Sequence, residues 1–157
     1  MIQRLQHVQI TIPSNATDQA RAFYCNLLGL REIPKPESLR DRGGFWLEIA
    51  NQEIHVSLED GVDRSATKAH LAYQVDDLEI WRSRLNNAGF QILEGVPIPG
   101  FVRFETRDPF GNRLEMIQPK TEGSSLIGSS LSGFTSPFAY SLTPPESAPP
   151  TKTCWKA

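Results

Sequence analysis

The chain contains three histidines, and these together with one glutamate are its candidates for metal chemistry. His7 opens the stretch HVQITI, His70 opens HLAYQV, His55 lies within EIHVSLE and Glu115 lies within RLEMIQP. Each stretch alternates apolar and polar residues, which predicts a β-strand with one buried face. All four residues lie on the face opposite the apolar side chains of their strand. Neutral imidazoles and a carboxylate are ligands for a divalent transition metal, so convergence of the four strands would create a metal site with positions open to a substrate.

A repeated order of elements explains how those four residues would converge. Each copy predicts a strand, a helix and three further strands, with the first helix over residues 17–28. The further strands are predicted in LREI, GFWLEI and EIHVSLE of the first copy, and in FQILEG, VRFET and RLEMIQP of the second. Laying one copy over the other places His7 on His70 and His55 on Glu115.

The repeat predicts an α+β fold. Two tandem βαβββ modules, at about residues 3–61 and 67–119, would share one sheet or one core and form a cupped mixed sheet with the helices outside. Beyond this domain of residues 1–121, the segment 122–157 is rich in Ser, Gly, Thr and Pro and lacks a sustained period, so we expect a disordered tail. Its few aromatic residues leave docking against the domain or a partner as the alternative.

Composition excludes several classes of function. The formal net charge is -2 and no run of basic residues occurs, so we expect no nucleic-acid partner and no anionic-membrane contact. The N-terminal stretch alternates in polarity and no apolar run is long enough for a membrane span, which indicates a soluble, cytoplasmic protein. Cys25 and Cys154 are too few for a disulfide framework and are predicted to be free thiols.

Three motifs resemble a known superfamily. The helix stretch FYCNLLGL, the turn RDPFGNRLE and the histidines that open each module are similar to those of the vicinal-oxygen-chelate superfamily. That superfamily includes glyoxalase I, extradiol dioxygenases, fosfomycin-resistance transferases, methylmalonyl-CoA epimerase and bleomycin-binding proteins. The resemblance covers residues 1 to about 119. It implies ligands in the first and last strand of each module, which are His7, His55, His70 and Glu115, for a divalent ion such as Zn, Ni, Mn or Fe. It also implies a small-molecule substrate and a homodimer.

Departures from individual relatives narrow the expected chemistry. Extradiol enzymes carry a tyrosine where this chain has Glu105, so ring cleavage is disfavoured. Fosfomycin transferases place hydroxyl residues at the substrate-binding positions that here hold Gln9, Arg103 and Glu105. Glyoxalase I uses two glutamate ligands, one of which moves protons between adjacent carbons; His55 replaces the first, and Glu115 retains the second. Bleomycin-binding proteins lack the metal ligands altogether.

Further substrate contacts are predicted around the same cavity. Arg103 and Glu105 share the strand face of Glu115, so they either face the cavity or form a surface pair across the hairpin. If it faces inward, Arg103 would bind a carboxylate or phosphate of the substrate. Trp46 is either an apolar wall of the cavity or a simple core residue.

The expected function is therefore a metal-dependent isomerase or lyase of the glyoxalase type. The metal would bind two neighbouring oxygens of a small molecule while Glu115 moves a proton. The alternative is a protein that binds an antibiotic or metabolite in the same cavity and confers resistance without turnover. A dioxygenase or a thiol transferase is less favoured.

Overall fold

The computed structural model describes residues 1–120 of the 157-residue chain. The first module contains β1 His7–Ile12, β2 Arg31–Ile33, β3 Phe45–Ile49 and β4 Gln52–Leu58. The second contains β5 His70–Gln74, β6 Leu93–Glu94, β7 Phe101–Arg107 and β8 Arg113–Pro119. Helix α1 spans Thr17–Arg21 and continues as a wider helix over Ala22–Leu27, and helix α2 spans Leu78–Asn87. The predicted βαβββ order is confirmed in both modules.

Each module forms its own four-stranded mixed sheet. The strand orders are β1-β4-β3-β2 and β5-β8-β7-β6, and the first strand of each module pairs in parallel with the last. The registers are equivalent, because Gln9 lies opposite His55 in one sheet and Ala72 lies opposite Glu115 in the other. His55 and Glu115 therefore occupy matching positions, as the sequence repeat predicts.

The two sheets share one hydrophobic core. Ile54 and Val56 of β4, and Leu114 and Met116 of β8, are all at most 2% exposed and belong to the same apolar cluster. Successive side chains on a strand point to opposite faces, so burial of these residues turns the intervening polar residues to the other face. The sequence left open whether the modules share a sheet or a core, and the structure shows a shared core.

Two elements differ from their predicted form. The helix predicted over residues 17–28 is present, but its second half is a π-helix in which the Leu28 amide donates to the Phe23 carbonyl. This wider turn accompanies the burial of two adjacent aromatic residues, Phe23 and Tyr24. The strand predicted in FQILEG shortens to Leu93–Glu94. The upstream Gln91 carbonyl accepts a hydrogen bond from the side-chain hydroxyl of Thr106 on β7.

The turn between β7 and β8 also fastens the modules together. Asp108 of this turn is buried and accepts a 2.6 Å hydrogen bond from the Tyr24 hydroxyl of the first module. The Asn112 side chain donates to the Thr11 carbonyl, and the buried Arg64 guanidinium donates to the same carbonyl. Gly111 adopts a φ of 95°, a conformation that favours glycine. The RDPFGNRLE motif thus has a structural role in joining the two modules, in addition to any functional role.

Within residues 1–120, no helix has the length and apolar character needed to cross a membrane. Cys25 has no disulfide partner among these residues. The predicted tail at 122–157, with Cys154, lies outside the described residues.

Candidate metal site

The predicted site residues fall into two groups, one on each sheet. Half-site one consists of His7, Gln9, Trp46 and His55, and half-site two consists of His70, Arg103, Glu105, Arg113 and Glu115. In half-site one the ring centroids of His7 and His55 are 6.5 Å apart, and in half-site two His70 contacts Glu115. Within residues 1–120, no three side chains of the His, Cys, Asp or Glu type come close enough together to hold an ion. One chain therefore presents the four predicted ligands as two pairs.

The pair in half-site two has the spacing of two adjacent metal ligands. The His70 Nε2 atom lies 3.0 Å from the Glu115 Oε2 atom, and Glu115 is 4% exposed. The His70 Nδ1 atom lies 2.9 Å from the Lys68 carbonyl, which can only accept, so Nδ1 carries the proton of a neutral ring. The lone pair of Nε2 then faces a carboxylate oxygen, and two acceptors at this distance require a proton or a metal ion between them. Ligand atoms about 2.1 Å from one ion and at right angles to each other would be about 3.0 Å apart.

All three histidines place Nδ1 against an oxygen acceptor. The Nδ1 atom of His55 lies 2.9 Å from the Gln9 amide oxygen, and the Nδ1 atom of His7 bonds the Gln6 amide oxygen. Amide oxygens accept and do not donate, so Nε2 is the unprotonated nitrogen in each neutral ring. Metal-binding histidines usually donate their other ring N–H to an oxygen in this way, which fixes the ring and its tautomer. The donor set therefore fits a divalent ion.

Trp46 links the two histidines of half-site one. Its indole stacks on the His55 ring at a centroid distance of 4.7 Å and an interplanar angle of 14°, and the His7 ring centroid lies at 5.1 Å. Burial lowers the pKa of His55, with smaller contributions from the charges of His7 and Lys35. The lowered pKa keeps His55 neutral, which is the form that binds metal. Trp46 is 5% exposed, so it is a buried residue that also forms one wall of the half-site.

Arg103 and Glu105 face half-site two and do not form a surface pair. Arg103 donates from Nη1 to Glu115 Oε2 at 3.0 Å and from Nη2 to Glu105 Oε1 at 2.8 Å. Glu105 also accepts from Arg113 Nε at 2.7 Å. The side chains of Arg103, Glu105 and Glu115 are only 12%, 9% and 5% exposed. Arg113 was not among the residues predicted from the sequence, although its position two residues before Glu115 puts it on the same face of β8.

An open cleft touches both half-sites. It has a volume of about 370 Å³ and lies between β1 and β5, where its lining includes Gln9 of half-site one and His70 and Arg113 of half-site two. A second cleft of about 270 Å³ borders the other side of half-site one at His55 and Ser57. Each is near the small end of the range for ligand pockets, which suits a small molecule.

Replacing Gln9 by alanine is expected to weaken Mn²⁺ binding about tenfold, because the His55 ring loses the acceptor that fixes its tautomer. Isothermal titration calorimetry measures the affinity, and the thermal unfolding midpoint should stay unchanged because Gln9 is exposed. The matched control is Gln91→Ala, since its exposed side chain lies outside both half-sites. Equal Mn²⁺ affinity in the wild type and in Gln9→Ala would show that Gln9 does not orient a metal ligand.

Comparison with known proteins agrees with this architecture. The structure is similar to that of a putative glyoxalase family protein from Bacillus anthracis, with 38% identity, a TM-score of 0.70, and coverage of 76% of this chain and 98% of that one. It also resembles the fosfomycin resistance protein FosX from Listeria monocytogenes in complex with Mn(II) and a sulfate ion. That match has 19% identity, a TM-score of 0.63, and coverage of 78% of this chain and 94% of that one. No curated protein sequence gives a significant match.

The family model described as Glyoxalase/Bleomycin resistance protein/Dioxygenase superfamily matches residues 4–116. This range contains every residue of both half-sites, the turn between β7 and β8, and all of the strands except the last three residues of β8. The chain belongs to the Glyoxalase/Bleomycin resistance protein/Dioxygenase superfamily.

Proposed function

We propose that the chain is a metal-dependent enzyme of the glyoxalase type, an isomerase or lyase that acts on a small molecule with two neighbouring oxygens. The observation that carries this proposal is the shared orientation of the three histidines, each of which places Nδ1 against an oxygen acceptor and so presents Nε2 as the nitrogen that would bind metal. The 3.0 Å approach of His70 Nε2 to Glu115 Oε2 supports it, because that contact needs a positive charge between its two acceptors. The FosX structure, which has a similar fold, contains Mn(II), an ion that carboxylate donors suit.

The ligand set would be completed by a homodimer. His7 and His55 of one subunit would join His70 and Glu115 of the partner subunit, because neither half-site alone supplies three ligands within residues 1–120. The polar faces of both sheets are open to such an approach, since His7, Gln9, His70 and Ala72 are all exposed. A two-fold axis that pairs half-site one with half-site two of the partner subunit creates a second identical site at the same time.

The bound ion would be Zn, Ni, Mn or Fe, because imidazole and carboxylate donors without thiolate suit these metals. When bound, such an ion supplies Lewis-acid stabilisation for negative charge on the two substrate oxygens. The protein supplies the remaining chemistry.

Glu115 is the residue we assign to proton transfer. Its hydrogen bonds within residues 1–120 fall on Oε2, so Oε1 remains available to accept a proton from the substrate. The Arg103 guanidinium fixes the carboxylate from one side. Trp46 would exclude water from the opposite wall because it is buried against the His55 ring. General-base catalysis needs a positioned carboxylate of this kind.

A binding protein is the second candidate, and one observation favours it. A monomer of this structure brings only pairs of predicted ligands together within residues 1–120, so a monomeric protein would use its clefts for binding without metal chemistry. The oligomeric state and the metal content therefore decide between the two candidates.

Mixing two metal-binding variants tests the shared site. His7→Ala and His70→Ala should each bind Mn²⁺ at least about 100-fold more weakly than the wild type, because each removes a ligand from both sites of a homodimer. Chains carrying different affinity tags and refolded together as a 1:1 mixture should recover about a quarter of the wild-type sites, since only heterodimers rebuild one intact site. Calorimetry or the Mn²⁺ electron paramagnetic resonance signal counts the tight sites.

The control is a mixture of His7→Ala with His55→Ala, which both damage half-site one and should restore no complete set of four ligands. Untagged wild-type protein that contains no divalent metal and sediments only as a monomer would contradict the enzyme proposal and favour the binding protein. Recovery in the control mixture equal to that in the test mixture would contradict the pairing of half-site one with half-site two.

A further inference from the structure

Half-site two contains two arginines that would ordinarily form an anion site. Arg103 and Arg113 both face the region around Glu115, and guanidinium groups are the preferred partners of carboxylates and phosphates. Four of their six nitrogens, however, already donate within the protein. The terminal nitrogens of Arg103 donate hydrogen bonds to Glu115 and Glu105. Nε and Nη2 of Arg113 both donate to Glu105 Oε2.

The charges of this cluster cancel. Two guanidinium groups face two carboxylates, so the wall presents no net charge to a substrate. Glu105 and Glu115 are directly opposite each other across β7 and β8, and Arg103 is hydrogen-bonded to both. An anion that took Arg103 for itself would leave two buried carboxylates facing each other, which like-charge repulsion strongly disfavours.

The place of the Arg103 guanidinium is also fixed by the backbone. A Cβ atom at Gly95 would lie 2.5 Å from Nε and 2.8 Å from Cζ of Arg103, so the absence of a side chain there leaves room for the guanidinium. The Arg103 Nε atom is buried without a hydrogen-bond partner within residues 1–120. The guanidinium is therefore enclosed by Gly95 on one side and bonded to the two carboxylates through its terminal nitrogens.

We propose that Glu105 determines the substrate class by neutralising Arg103 and Arg113, so that half-site two accepts an uncharged group and rejects a phosphate, phosphonate or carboxylate. This inference rests on the proposed function, because it describes the substrate of that same site. It replaces the expectation that Arg103 binds a substrate anion. Glu105 is a specificity-determining residue under this proposal, and it takes no part in proton transfer.

Removing the Glu105 charge should convert the wall into an anion site. Glu105→Gln keeps the side-chain shape and one acceptor. It removes one of the two negative charges, so the cluster with Arg103, Arg113 and Glu115 becomes net positive. We expect this variant to bind inorganic phosphate at least about tenfold more tightly than the wild type, measured by calorimetry on chelator-treated full-length protein. Adding Arg103→Met to Glu105→Gln should return the affinity to the wild-type value, which locates the phosphate in half-site two.

Glu94→Gln is the matched control, because Glu94 pairs with Arg82 at the surface and the variant makes the same change in total charge. It should leave phosphate affinity at the wild-type value. Equal phosphate affinity in folded Glu105→Gln and in the wild type would overturn the proposal. If Glu105→Gln does not fold, phosphate binding by the wild type provides the test. Wild-type binding in the low millimolar range that is abolished by Arg103→Met would also overturn the proposal. Phosphate affinity is measured on metal-free protein, so it tests this proposal alone. The metal content of the untreated protein tests the proposed metal site separately.

Discussion

Alanine in place of Glu115 is expected to weaken Mn²⁺ binding by at least about 100-fold and to lower turnover by about a thousandfold or more. The carboxylate has two functions in the proposed site, as a metal ligand beside His70 and as the group that moves the proton. Loss of the ligand lowers affinity, and loss of the proton acceptor lowers turnover even when the metal is supplied in excess. These two effects are separable by measuring activity at saturating Mn²⁺.

His55→Ala should have a smaller effect. It removes one ring from half-site one, and in the proposed homodimer it would leave His7, together with His70 and Glu115 of the partner subunit, able to retain some metal. We therefore expect Mn²⁺ affinity to fall by about tenfold and turnover at saturating metal to be retained in large part. If His55→Ala lost more turnover than Glu115→Ala, the assignment of proton transfer to Glu115 would be wrong.

The measurement is a turnover screen of metal-loaded protein against thiol adducts of 2-oxoaldehydes, catechols, and thiols with epoxides. Calorimetry supplies the affinities. Glu115→Gln accompanies the alanine variant, because it preserves side-chain volume and an acceptor for Arg103 while removing the charge. The control is Asp18→Ala, since the Asp18 side chain is fully exposed on α1 and pairs with Arg21 of the same helix. Unchanged metal affinity and turnover in both Glu115 variants would remove Glu115 from the site.

Local periodicity predicts the strands well in this chain. The stretch HVQITI corresponds to β1 and RLEMIQP to β8, because alternation of apolar and polar residues reflects a strand with one face in the core. The internal repeat further predicts that His55 and Glu115 are equivalent, and the matching registers of the two sheets confirm it. Both inferences depend on information that lies within a few residues or recurs along the chain.

The arrangement of the half-sites could not be predicted in the same way. A tandem repeat identifies equivalent positions, but it does not determine whether the first module meets the second module of its own chain or of another. That choice depends on how the core packs between the sheets. Likewise, strand parity placed Arg103 and Glu105 on the face of Glu115, but their burial depends on Gly95 and Arg113, which come from two other segments.

Replacing Asp108 by alanine is expected to produce the largest loss of stability. Asp108 is 5% exposed and accepts hydrogen bonds from four donors: the backbone amides of Phe110 and Asn112, the Asn112 side chain and the Tyr24 hydroxyl. Removing the carboxylate leaves several buried donors without a partner, each of which costs about 1–3 kcal/mol. We expect the free energy of unfolding to fall by about 3–5 kcal/mol in total, a large part of the stability of a domain of this size.

Tyr24→Phe separates the module contact from the turn itself. It removes one hydrogen bond to Asp108 while leaving the three donors within the turn, so the expected loss is about 1–1.5 kcal/mol. Burial, reinforced by the Asp108 charge, raises the pKa of Tyr24 well above its usual value, so the hydroxyl keeps its proton and remains a donor at neutral pH. A raised pKa in the folded state means that the stability contributed by the protonated phenol is lost only as the pH rises above about 10.

Urea unfolding followed by circular dichroism measures both variants. Comparing the two variants separates the hydrogen bonds within the turn from the contact between the modules. Asp108→Ala should lower the urea midpoint of unfolding much more than Tyr24→Phe, and neither should change the dependence of the unfolding free energy on urea concentration. The exposed Asp76, which neighbours the N-cap residue of α2, provides the control Asp76→Ala, which should change stability by less than about 0.5 kcal/mol. A midpoint for Asp108→Ala within error of that control would mean that the turn is not a structural anchor. The RDPFGNRLE turn would then act through Glu115, seven residues after Asp108.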